Sequence, residues 1–225
     1  MGTLYVVATP IGNLEDVTLR AIRILREVEL VLAEDTRRTR TLLTQHDIGN
    51  RPRSLHAHNE AQRSREVLEV LASGSSVALV SDAGTPLVSD PGERLVAAAI
   101  EAGHPVVPIP GASAILSALV ASGLPAVPFL FLGFLPRRKG ERNKLLARIR
   151  DRAETVVLFE SPRRLAGTLS QLADALGDRP ACVARELTKL HEEVARGSLR
   201  ELADRFREGT RGEVTLVIGG APEEP

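Results

Sequence analysis

Apolar residues in this chain fall in short runs, separated by stretches of helical spacing. Leu4–Ala8, Leu30–Ala33, Val77–Val80 and Val106–Ile109 are runs of strand length. Between the first two, Leu19, Ile22, Leu25 and Val28 recur near the helical period behind Asp16 or Thr18 as N-cap. A helix through Leu42-Leu43 follows the second run. Ser54–His58 alternates weakly and predicts a short strand. Asn59, with Gln62 three positions on, then starts a helix carrying Val67, Leu68 and Leu71. The segment from Leu95 to Ala102 is helical and stops at Gly103, and Pro110-Gly111-Ala112-Ser113 opens a helix through Ala121. Strand–helix alternation of this kind predicts a mostly parallel sheet with helices on both faces.

The second half begins after a proline-interrupted connector, Gly123 to Pro128, which is the expected boundary between an N-terminal α/β domain (1–122) and a C-terminal one (123–225). Strands are expected at Phe129–Leu132, Thr155–Phe159, Ala181–Ala184 and Val214–Ile218. A basic helix to about Arg152 follows the first of them. Ser161 as N-cap with Pro162 at N1 predicts a helix through Leu176, and Ser198 with Glu201 forms a capping box for a helix to Phe206. Ala221–Pro225 reads as a frayed tail.

The longest polar interruption is Ser81–Gly92, entered from an apolar run and left through a helical pattern. Asp90 suits an N-cap, Pro91 suits N1 and Glu93 completes a capping box. This loop is longer and more polar than a turn requires, so it is expected to form one wall of a ligand cleft. It is one of five polar loops that each follow a predicted strand, the others being Thr9–Asn13, Glu34–Arg37, His56–Glu60 and Pro110–Ser113. In a parallel sheet all five lie at the carboxyl edge, where open α/β folds bind ligands.

Charge and composition narrow the chemistry. Basic and acidic side chains number 29 each, so only local clusters can attract a polyanion. Two exist: Arg37, Arg38, Arg40, Arg51 and Arg53, and a longer segment from Arg137 to Arg152 in which eight cations face only Glu141 and Asp151. That segment suits phosphates. Cys182 is the single cysteine, which excludes an internal disulfide and fits a reducing cytoplasm. No signal segment and no membrane span is expected. Aromatics are 3% with no Trp, so base-stacking platforms are scarce. Neither a dinucleotide fingerprint nor a P-loop is present. His56 and His58, two apart on the expected strand, share a face and with Asp35 and Asp82 can ligate a divalent metal, as in a metal-dependent hydrolase.

Eight motifs occur in order: Thr9-Pro10-Ile11-Gly12-Asn13-Leu14, Glu34-Asp35-Thr36-Arg37, His58-Asn59-Glu60, Ser81-Asp82-Ala83-Gly84-Thr85-Pro86, Pro110-Gly111-Ala112-Ser113-Ala114, Gly133-Phe134-Leu135-Pro136, Phe159-Glu160-Ser161-Pro162 and Ala184-Arg185-Glu186-Leu187-Thr188-Lys189. Together they resemble the ribosomal RNA small subunit methyltransferase I family, the rRNA branch of the tetrapyrrole methylase superfamily. The resemblance implies a two-domain α/β fold, with a mostly parallel N-terminal sheet and a mixed sheet in the second domain. It implies S-adenosylmethionine in the cleft between the domains, a homodimer, and 2′-O-methylation of a cytidine in the decoding region of 16S rRNA in the small ribosomal subunit. Porphyrin-modifying relatives carry a glycine-rich first loop, and Thr9–Asn13 departs from it, which speaks against a tetrapyrrole methyltransferase. The implied cofactor contacts are Pro10, Asp82, Ala83, Gly84, Ser113, Ala114, Phe159, Glu160 and Leu187. Asn13, Arg37, Arg137, Arg138 and Lys139 are assigned to RNA, and no metal is required.

The resemblance names no general base. A ribose 2′-hydroxyl is a poor nucleophile, and a base or nearby cation helps remove its proton. Asp35, His58 and Lys189 are the leading candidates, with Glu60, His191 and Glu192 behind them. A non-catalytic RNA-binding module built on Arg137–Arg152 is the remaining alternative.

Overall fold

The computed structural model describes residues 1–222. The chain divides into two units, the first Met1–Ser113 and the second beginning at Ala114. In the first unit the order is β1 (Leu4–Val7), α1 (Leu19–Glu27), β2 (Leu30–Ala33), α2 (Thr36–Gln45), β3 (Arg53–Ser54), α3 (Glu60–Ala72), β4 (Val77–Val80), α4 (Glu93–Glu101) and β5 (Val106–Ile109). The strands form one sheet in the order β3-β2-β4-β1-β5, every pair parallel.

Why these strands read as unbroken apolar runs is visible in their two faces. Leu30, Leu32, Val77 and Leu79 point into a core with Val67, Leu71, Leu95 and Ala99 of α3 and α4. The intervening Val31, Ala33, Ala78 and Val80 point the other way, onto Ala21, Ile24, Leu25, Leu42 and Leu43 of α1 and α2. Side chains alternate with period two, and a sheet covered on both faces needs both sets apolar.

Three local expectations are corrected here. The buried stripe of α1 is Ala21, Ile24, Leu25 and Val28, while Leu19 is 87% exposed. Thr18 is the cap, accepting from Ala21 N at 3.1 Å, so Leu19 becomes the first helical residue and falls on the solvent side. The strand expected over Ser54–His58 ends at Ser54, and His56–Asn59 is a turn. Asn59 stands at the N-cap of α3 but braces the turn instead of capping: its Oδ1 accepts from His56 N at 2.8 Å and its Nδ2 donates to Ser54 O at 3.2 Å.

The second unit contains α5 (Ala114–Ser122), β6 (Phe129–Phe134), α6 (Lys139–Ile149), β7 (Thr155–Glu160), α7 (Leu165–Leu176), β8 (Pro180–Arg185), β9 (Glu193–Ser198), α8 (Leu199–Arg205) and β10 (Val214–Ile218). Its sheet, β6-β7-β10-β8-β9, is mixed: β6 and β7 are parallel and the other pairs antiparallel. Helix α5 lies in this unit, ahead of the Gly123–Pro128 connector, because Ala118 and Leu119 pack on Val157, Cys182 and Val217. Arg196 of β9 adds donors to Ala121 O and Ser122 O at the end of α5, each at 3.1 Å.

Strand β9 had no apolar signature to announce it. It is an edge strand, and of its residues only Ala195 is buried. Helix α7 starts at Leu165 and not at Ser161, because Ser161 N donates to its neighbour Glu160 Oε1 at 2.6 Å and residues 162–164 turn. The capping box of α8 is present as expected, with Glu201 N donating to Ser198 Oγ at 3.2 Å and Ser198 N to Glu201 Oε2 at 2.8 Å. In the tail, Ala221 N donates to Arg152 O at 2.6 Å, and residues 223–225 lie outside the described residues. Replacing Ser198 by Ala removes the cap and is expected to lower stability by about 1 kcal/mol. Urea unfolding checks this, with the midpoint shifted and the slope unchanged.

Candidate functional site

The carboxyl edge of the parallel sheet gathers the loops that follow β1 to β5. Three of them nest on one another. Thr9 N donates to Gly84 O at 2.9 Å and Gly84 N returns a bond to Thr9 O at 3.0 Å, an antiparallel bridge beyond the end of the parallel β1–β4 ladder. Thr9 Oγ1 also donates to Ser81 O at 2.9 Å. Gly84 adopts φ +90°, and a Cβ there would lie 3.3 Å from Ile11 Cγ2 and 3.5 Å from Ala112 O. Glycine is therefore required for backbone conformation as well as for space. Gly111 lets the loop after β5 approach β1, since a Cβ there would sit 3.0 Å from that of Ala8. Pro10 and Gly84 are buried in this nest, with Asp82 and Ala83 half-buried beside it.

Polar side chains brace the same edge. Asp82 Oδ1 accepts from Asp35 N at 2.8 Å, tying the loop after β4 to the loop after β2. Ser81 Oγ donates to Asp90 Oδ2 at 2.5 Å and accepts from Ala83 N at 3.1 Å. Asp90 is thus held by Ser81 and does not cap α4. Gly92 occupies the N-cap position with no side-chain bond, and the capping acceptor is Glu60, which receives Gly92 N at 3.1 Å and Arg94 N at 2.9 Å.

Four carboxylates, Glu34, Asp35, Asp82 and Asp90, collect along this edge, and environment shifts three of them, Glu34, Asp35 and Asp90, in different directions. Asp35 caps α2 and is clasped by Arg37, whose Nη2 and Nε donate at 2.8 and 3.1 Å. Those bonds hold its carboxyl down at about 2. Glu34 is an exposed residue whose carboxyl is nonetheless pushed up, by incomplete solvation at the loop edge and by the negative charges of Asp82 and Asp90, with His56 opposing and Asp35 adding slightly. Burial likewise raises Asp90, against the bond from Ser81. Glu34 makes no side-chain hydrogen bond among the described residues. Glu34 was not among the candidate bases read from sequence; it stands in the bend just past β2, next to Asp35, which is drawn away as the cap of α2.

His56 lies near enough to Glu34 to act on its charge, but the histidines form no metal-holding group with these acids among the described residues. His56 and His58 meet edge to face with ring centroids 6.0 Å apart, in the turn before α3, and His58 is exposed. Among the described residues no three His, Cys, Asp or Glu side chains are grouped to hold a metal ion. Asn13 caps the 3₁₀ turn Leu14–Asp16 by accepting from Glu15 N at 3.1 Å.

In the second unit, half-buried Phe159 stacks edge-on against Phe131 at 5.1 Å and lies tilted to Phe134 at 5.6 Å. Glu160 is buried and fully engaged, accepting from Ser161 N and Thr168 Oγ1, each at 2.6 Å, with Arg164 at 3.4 Å. Ser113 closes the first unit and Ala114 opens α5. Leu187 packs half-buried beside the core under α5. Lys189 pairs with Glu186 at 2.8 Å and Glu213 at 3.1 Å. Burial would lower its pKa, but those two carboxylates outweigh it and the ammonium holds its proton more tightly than usual. Arg137, Arg138 and Lys139 are exposed at the start of α6, where a groove of about 620 Å³ runs between α6 and α7, lined by Lys139, Arg142 and Arg150.

Comparison with known proteins bears on this arrangement. Residues 3–203 match the family described as Tetrapyrrole (Corrin/Porphyrin) Methylases. Relatives named ribosomal RNA small subunit methyltransferase I include one from Micromonospora olivasterospora, 53% identical over 99% of this chain and 72% of its own length. Another from Bacillus subtilis is 48% identical over 100% and 77%, and one from Thermotoga maritima 47% over 98% and 99%. Among solved structures, uroporphyrin-III-C-methyltransferase from Thermus thermophilus superposes with a TM-score of 0.69 at 24% identity, covering 97% of this chain and 94% of that one. Diphthine synthase gives 0.72 at 18%, covering 97% and 90%. At those identities the two structures speak to fold alone. The length and identity of the sequence matches carry the assignment further: the chain belongs to the tetrapyrrole methylase family, beside the relatives named ribosomal RNA small subunit methyltransferase I.

Proposed function

We propose that this protein is an S-adenosylmethionine-dependent methyltransferase that modifies the ribose 2′-oxygen of a cytidine in the decoding region of 16S rRNA. The observation that carries the reading is the nested, acidic loop edge of the first unit. S-adenosylmethionine is a cation at its sulfonium and its ammonium, and Glu34, Asp35, Asp82 and Asp90 supply a negative field suited to it. The backbone around Gly84 offers close approach, and Asp82 keeps its second oxygen for a hydroxyl or amine. Pro10, Asp82, Ala83, Gly84, Ser113 and Ala114 are the proposed contacts at or following this edge. Phe159, Glu160 and Leu187 are proposed through family resemblance, with Glu160 acting by backbone because its carboxylate is engaged internally.

An acidic edge repels RNA, so the phosphates require cations elsewhere. Arg137, Arg138 and Lys139 at the start of α6 supply them, with Arg37 and Asn13 contacting RNA nearer the loops. The protein would act in the cytoplasm on the small ribosomal subunit, as a homodimer. Leu116 and Val120, exposed four residues apart on α5, offer apolar surface for that pairing.

When bound, the cofactor supplies a methyl group on a leaving group that departs neutral, so the chain needs no metal to stabilise it. The residues have two tasks, alignment and removal of the hydroxyl proton. Asp35 is a weak base at about 2 and is clasped by Arg37, and Lys189 retains its proton, which suits it to steady developing negative charge on oxygen. His58, exposed in its turn, is left to contact substrate. Glu34, unengaged and shifted upward, is the proposed proton acceptor.

Two outcomes follow. Labelled methyl groups should pass from S-adenosylmethionine to small subunits from a strain lacking this protein, and nuclease mapping should find one ribose-methylated cytidine. Transfer to a base or to a tetrapyrrole, or none, contradicts the proposal. In the pH profile, activity should fall as pH drops through the raised Glu34 pKa, because only the carboxylate accepts a proton. Glu34→Gln should remove that acid limb and cost about 10²–10⁴-fold in rate, a loss that exceeds any weakening of cofactor binding from the missing charge.

A further inference from the structure

The segment that follows the cofactor loop, α4, has no cap of its own. Gly92 stands at its N-cap with φ +127°, and a Cβ there would lie 2.7 Å from Leu79 Cδ2 and 3.0 Å from Leu87 Cδ2. A capping serine or aspartate is thus disfavoured by conformation and by space. The missing acceptor comes from a distant part of the chain. Glu60 Oε1 receives both Gly92 N and Arg94 N, at 3.1 and 2.9 Å, across 32 and 34 residues. Glu60 is the first residue of α3 and is buried at 7% exposure. A carboxylate aimed at two helix N–H groups also complements the positive end of the helix dipole.

The bond joins two loops of the candidate edge. On one side, the His56–Asn59 turn is fixed to Ser54 and His56 by the Asn59 amide. On the other, Ser81–Gly92 is held at its front by Thr9 and closed on itself by the Ser81–Asp90 bond, which leaves its exit into α4 to Glu60. Between Ser81 and Asp90 the chain bends through Leu87 and Ser89, both at φ +73°, and Gly92 follows at φ +127°. Residues other than glycine stay in that region only while their surroundings hold them there. Glu60 is the anchor at the far end.

We propose that Glu60 is the positioning residue of the cofactor loop: by clamping the start of α4 it holds Asp82–Gly84 in the form that receives S-adenosylmethionine. The proposal rests on the cofactor reading above. It assigns Glu60 no contact with the cofactor and no part in proton removal.

Both bonds use one oxygen, so glutamine retains the acceptor and alanine does not. Calorimetric titration of the full chain with S-adenosylmethionine should find Glu60→Ala weakened at least about tenfold and Glu60→Gln within about threefold of wild type. A structural comparator is Ser198→Ala, which loses a helix cap in the other unit and should bind normally. Amide exchange on the ligand-free proteins should show residues 81–94 deprotected in Glu60→Ala and not in Ser198→Ala. If Glu60→Ala does not fold, Glu60→Asp, whose shorter arm cannot reach both N–H groups, is held to the same thresholds. Wild-type affinity in the alanine or aspartate variant, or loss in step with Ser198→Ala at equal thermal destabilisation, overturns the proposal. Failure of wild type to bind the cofactor removes the cofactor reading, while unchanged exchange at 81–94 removes the anchor.

Discussion

Two backbone hydrogen bonds, Thr9 N to Gly84 O and Gly84 N to Thr9 O, set the form of the candidate site. Up to Val7 and Val80, β1 and β4 run parallel. Beyond them the chain after β4 turns back so that Gly84 meets Thr9 in the opposite sense. That reversal needs a residue at positive φ with no side chain, because Ile11 and Ala112 close in on it. Once it is made, Thr9 and Asp82 tie the loop after β4 to the loops after β1 and β2, and the Ser81–Asp90 bond closes that loop on itself. The loops satisfy one another's polar groups, a condition that buried backbone imposes wherever regular pairing ends.

Charge is divided between the two units. The first gathers Glu34, Asp35, Asp82 and Asp90 at the carboxyl edge of the sheet, beside the arginines from Arg37 to Arg53, and the second carries the longer cationic run, Arg137–Arg152. Zero net charge conceals this separation. A cationic cofactor and a polyanionic substrate require surfaces of opposite sign, and one chain supplies both by keeping them apart in sequence. Within the acidic edge a further division arises from local bonds. Arg37 makes Asp35 a poor base, while incomplete solvation and like charge make its neighbour Glu34 a better one.

Most of the fold was legible in sequence because the inner parallel strands β1, β2 and β4 are covered on both faces and therefore apolar along their length. Strand β9 was not, since an edge strand with Glu193 and Arg196 outward has too little apolar content. In α1, two nearly equivalent helical stripes competed, and the Thr18 cap decided between them. The strand assigned to Ser54–His58 failed because alternation over so few residues does not exclude a turn. At the site, the loops and their glycines were legible, but the partners were not. Asp90, Pro91 and Glu93 compose a sound local cap, and nothing nearby in sequence announces that Glu60 fills that role from α3. Likewise the pairings of Asp35 with Arg37 and of Lys189 with Glu186 and Glu213 turn plausible bases into braced ions. Residue type identified the neighbourhood, and geometry assigned the roles.

On the proposed function, the acidic, nested edge of the first unit receives S-adenosylmethionine without a metal. Calorimetric titration of wild type and Asp82→Ala with the cofactor, in the presence of a chelator, tests it most directly. The account predicts saturable one-site binding by wild type, unaffected by chelator, and affinity weakened at least about tenfold in the variant, in keeping with loss of a hydrogen-bonded carboxylate. Equal affinity in the two proteins, or binding that disappears with the chelator, would contradict it.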